Sequence, residues 1–92
     1  MFRRDRLPRL QDRLRRARAS LEVAAAQALA LREEADDLRV RALTSDRPDD
    51  RSEAAAADKH ARATEDSRDR LQSEVADLAR QIDEELDRRL GP

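Results

Sequence analysis

Eleven apolar residues between Leu7 and Ala42 recur at steps that alternate three and four: Leu7, Leu10, Leu14, Ala17, Leu21, Ala24, Ala28, Leu31, Ala35, Leu38 and Ala42. That period is the seam of an α-helix, and no strand alternates in this way. A seam of about five heptads must be covered, because a lone helix would leave it in water. The cover expected is the second half of the same chain. Composition agrees, since 45% of the 92 residues are charged and there is a single glycine, a balance typical of long helices and coiled coils. The core is small. Twelve Leu carry most of it and seventeen of the residues scored apolar are Ala, so an isolated domain of this length has little to bury.

Thr44 to Arg51, TSDRPDDR, is the one turn-like cluster. Pro48 lacks a backbone donor and drives the preceding residue out of helical geometry. Helix 1 is therefore expected over about 8–44, a turn over about 45–48 and helix 2 over about 48–90. Met1 to Arg6 are expected to fray, Pro8 fits the first helical turn, and Gly91-Pro92 is a plausible stop. Asp46, Asp49 and Asp50 stand where carboxylates cap free N–H groups.

Helix 2 repeats the spacing at Ala54, Ala57, Ala61, Thr64, Arg68, Leu71, Val75, Leu78 and Ile82, after which Leu86 and Leu90 shift the seam by one position. Folding back at the turn sets Leu38 against Ala57, Ala24 against Leu71 and Ala17 against Leu78, large against small. The flanking positions match in charge: Arg39 meets Asp58, Arg32 meets Glu65, Arg41 meets Glu53 and Glu34 meets His60. The fold class expected is all-α, an antiparallel two-helix coiled-coil hairpin. Away from the turn the flanks become neutral. Ala25, Leu29, Ala76, Ala79 and Leu86 then form an apolar side that one partner helix does not cover, so two hairpins are expected to pair into a four-helix bundle as a homodimer.

Arg68 occupies a core position opposite Ala28, with no acid on the facing stretch. It is expected to reach past its own stem to Glu65 and to set register, with an anion or partner contact as the alternative. The first eighteen residues carry eight Arg against Asp5 and Asp12, and Arg9, Arg13 and Arg16 share one side of a helix. That row suits phosphates, although Asp77, Asp83, Glu84, Glu85 and Asp87 are expected beside it and would cancel much of its field. No aromatic is available there for base stacking.

Catalytic chemistry finds no footing in the sequence. There is no Cys, His60 is the only histidine, and the only Gly is Gly91, so neither a paired metal site nor a phosphate loop can be assembled. No enzyme activity and no cofactor are expected. The longest apolar stretch, around Gln27, is too short for a membrane span, and a cytoplasmic protein is the default. Nineteen of the twenty bases are Arg, a bias of GC-rich bacterial genomes. In size the chain resembles the small WXG-type helical hairpins, but Ser45-Asp46-Arg47-Pro48 stands in place of their Trp-x-Gly turn. Arg68 and Gln72 echo two of the five ligand-reading residues of cyclic-dinucleotide-gated anti-sigma hairpins, with Glu65 where Ser is required. Neither family is assigned. The function expected is protein–protein interaction by helix docking, as an adaptor, assembly factor or regulator sequestering a partner protein. Nucleic-acid binding by the Arg row and self-assembly as a scaffold are the alternatives.

Overall fold

The computed structural model describes residues 5–91. Two α-helices, α1 (Arg6–Leu43) and α2 (Pro48–Leu90), pack against each other along their length, and there is no strand among the described residues. The hairpin is a rod of 71 × 23 × 14 Å, as expected of helices near forty residues rising about 1.5 Å per residue.

Local chemistry sets the ends. The Leu7 amide donates to Asp5 Oδ1 at 3.0 Å, so Asp5 caps α1 and Arg6 is its first helical residue. Of the stretch expected to fray, residues 1–4 lie outside the described ones, and Asp5 and Arg6 are ordered. Pro8 sits in the first turn, where its missing N–H costs nothing. At the turn the organiser is Ser45. Its hydroxyl accepts from the Arg47 amide at 3.0 Å and donates to the Asp50 carboxylate. Arg47 is the N-cap of α2 and gives no side-chain cap, while Asp49 and Asp50 lie in the first turn beside its positive dipole end.

Every residue of the α1 stripe is buried or half-buried. The core has two grades. Near the open end Leu10, Leu14, Ala17 and Leu78 form one cluster, flanked by half-buried Val75 and Ile82. Toward the turn the fully enclosed residues are all Ala: Ala24, Ala28, Ala35, Ala54 and Ala61. Methyl-sized layers let two helix backbones approach closely, with the half-buried Leu31, Leu38 and Leu71 closing the edges.

The seam does not shift at its end. Leu86 and Leu90 are 38% and 84% exposed, whereas the Glu85 side chain is only 16% exposed and is held by Arg88 at 2.8 Å. A helix cannot rotate to follow two late leucines once eight turns of packing have set its phase, so the inward position after Ile82 falls to Glu85. Arg89 reaches across to the Asp5 carboxylate and ties the two helices together at the open end.

Candidate functional site: a helix-docking flank and its ion network

The two long sides of the hairpin differ, and each is named here by one residue of α1. On the Arg32 side, the guanidinium donates to Glu65 Oε1 at 2.8 Å and Glu65 Oε2 at 3.1 Å, and to Asp58 Oδ1 at 2.9 Å, with Asp36 at 3.5 Å. Arg62 holds the other Asp58 oxygen at 2.8 Å. The fold-back register placed Arg32 against Glu65, as found. It assigned Asp58 to Arg39, which lies near enough to act on Asp58 through its charge, while Arg32 takes the hydrogen bond. These bonds from Arg32 hold the Asp58 and Glu65 carboxyls below their ordinary range, against the opposing pull of desolvation. The same bonds, to Glu65 first and Asp58 second, hold the Arg32 proton more tightly than usual.

Beyond this network the Arg32 side turns neutral. Leu29 is 63% exposed, Ala76 is exposed, Leu86 is at the edge of exposure, and Ala25 and Ala79 are half-buried. Nearby, Gln11, Arg15 and Arg18 border an open groove floored by Leu14 and Ile82. Of the two leucines among the five residues singled out from the sequence, Leu29 is the more exposed. Val23, Val40, Leu43 and Leu90 are exposed too. Sequence reasoning passed over Val23 and Val40 because they fall off both the seam and its neutral flank.

Arg68 is half-buried and does leave the core along its stem, but it ends on its neighbour. Its Nε and Nη2 donate to Asp69 Oδ1 at 3.0 and 2.8 Å, in place of the expected bond to Glu65. Glu65 is already occupied by Arg32, and Arg68 acts on it only through charge.

The Arg row is rearranged as well. Arg16 is drawn back to Asp12 at 3.1 Å, and Arg15 shares the same carboxylate. Arg9 and Arg13 instead join Arg6 around Leu10, and none of the three pairs with an acid among the described residues. Three of the five acids expected to cancel this field are held by α2 itself, Glu85 by Arg88, and Glu84 and Asp77 by Arg80 at 2.8 and 3.8 Å, while Asp83 and Asp87 enter no ion pair among the described residues. On this Glu34 side, nearer the turn, Glu34, Glu53 and His60 border a groove over Leu31 and Leu38. The pairings expected between Glu34 and His60, and between Arg41 and Glu53, do not close into ion pairs.

No three His, Cys, Asp or Glu side chains among the described residues gather as a metal site. No described helix is long and apolar enough to cross a membrane. No family model, no curated protein and no solved structure matches the chain. The geometry defines an antiparallel two-helix hairpin with an ion network on its Arg32 side.

Proposed function

We propose that the chain is a non-enzymatic protein–protein interaction module, an adaptor, assembly factor or sequestering regulator acting in the cytoplasm, and that it works by docking helices on its Arg32 side. The observation that carries this reading is Leu29, an apolar side chain 63% exposed one turn from the half-buried Ala25. An apolar side chain flanked by alanines on a straight rod suits a second helix laid along it. Two hairpins meeting through this side make a four-helix bundle. At moderate salt, where apolar docking persists and charge-driven contacts are screened, Leu29→Glu should convert the dimer to monomers in light scattering; an unchanged mass would refute the assignment.

A second reading draws on the guanidiniums of Arg6, Arg9 and Arg13 around Leu10, which pair with no acid among the described residues. Three cations on one face suit a phosphate backbone, and such binding falls steeply with salt. A duplex probe that is retained at low salt and released at moderate salt would support it. Apolar helix docking would change little between the same two conditions.

A further inference from the structure

The Glu34 side of the hairpin carries two unbalanced charge groups at opposite ends and an apolar groove between them. Arg6, Arg9 and Arg13 crowd the open end. Glu34 and Glu53 line the groove nearer the turn, and Asp37 is exposed beside them on α1. None of these six pairs with an opposite charge among the described residues, although eleven ion pairs form elsewhere in the hairpin. Between the groups, Ala19, Val23 and Leu71 line a third groove with Ser20, Ala24 and Gln27.

From this arrangement we infer that the Glu34 side is the docking surface for a second copy of the chain, laid antiparallel with its two-fold axis at Val23. The heptad spacing carries the match. With the axis there, Arg13 stands level with the partner's Glu34, Arg9 with the partner's Asp37, and Arg6 with the partner's Glu53. Arg41 shares the level of the partner's Arg6, and Glu53 is the acid that offsets it. Val23 meets its own symmetry mate, and Ser20 meets the partner's Gln27. A two-fold makes each contact twice, as an isologous interface requires. A parallel arrangement would put the Arg groups against each other and leave the acids without partners. Complementary charge sets the orientation, and the central groove supplies the apolar contact. This surface is separate from the Arg32 side, so the inference stands or falls independently of the proposed function.

The test is made with Leu29→Glu present throughout, which closes the Arg32 side and leaves one interface to read. Sedimentation equilibrium at low salt should show a dimer that weakens as salt rises. Arg9→Glu with Arg13→Glu, and separately Glu34→Arg with Asp37→Arg, should each weaken the dimer by at least about tenfold, while circular dichroism shows the helices retained. Mixing the two charge-reversed proteins should restore a heterodimer, because each reversed group then meets its opposite in the antiparallel frame. Three results would overturn the inference. They are a monomer at low salt, reversed proteins that fail to rescue each other, and a duplex DNA probe bound by Arg9 and Arg13 with no self-association.

Discussion

Leu78 is the side chain on which this hairpin rests most heavily, and Leu78→Ala gives the sharpest test of its packing. It is 1% exposed, enclosed by Leu10, Leu14 and Ala17 with Val75 and Ile82 at the rim. Leu-to-Ala changes in well-packed cores cost about 2.7–5 kcal/mol, the upper values where the site cannot collapse. A two-helix layer can close partly over the gap, so the loss should fall at about 2–3 kcal/mol. Domains of this size are stable by roughly 5–14 kcal/mol, so one truncation removes a large fraction, equivalent to roughly 10–20 °C in Tm. Urea denaturation followed by far-UV circular dichroism, at one protein concentration, measures it. Leu43→Ala is the control: it deletes the same atoms from a side chain 79% exposed and should change stability by less than about 0.5 kcal/mol. If Leu78→Ala costs under about 1 kcal/mol, or no more than the control, the open-end cluster is not the core described here.

Two further outcomes follow from the ion pairs. Glu85 holds an inward position beside the leucine cluster while its partner Arg88 is largely exposed, so Glu85→Leu should stabilise by about 1 kcal/mol through added apolar burial; a lower urea midpoint would show that the Glu85–Arg88 pair is needed there. Asp58 and Glu65 have folded pKa values below their ordinary ones. The stability they contribute is therefore complete above the ordinary carboxylate range and is lost as pH falls through the depressed values. Thermal melts from neutral to strongly acid pH should show this loss, and Arg32→Gln should flatten it. Parallel curves for the two proteins would place the acid sensitivity elsewhere.

The seam, the turn at Pro48 and the fold-back register were legible because each rests on many residues at once: eleven stripe positions, one proline in a polar cluster, and charge matches across the pair. Single partnerships were not. Arg32 was read against Glu65 alone, yet a guanidinium has five donors and a reach that takes in Asp58 and Asp36 as well. Arg16 and Arg68 went to Asp12 and Asp69 on their own helices. Acids one to four residues away are held close by the backbone, so such pairs form with less ordering than pairs across the hairpin. The late leucines misled for another reason. Leu86 and Leu90 look like a seam when read alone, but helix phase is set by the whole of α2, and at that end it favours Glu85. The Arg6–Arg9–Arg13 group emerged only once Asp12, Asp77, Glu84 and Glu85 could be seen engaged by other bases.

The division of the core into alanine layers near the turn and leucine layers at the open end separates the order of folding from the source of stability. Contacts beside the turn close short loops and form at small entropic cost, whereas Leu14 must find Leu78 across most of the chain. A hairpin that zips from the turn therefore assembles its weakest layers first and its strongest last. Interactions formed after the transition state act on unfolding rather than folding. The leucine cluster then acts as a latch: truncating it should leave the folding rate nearly intact and shorten the lifetime of the closed rod.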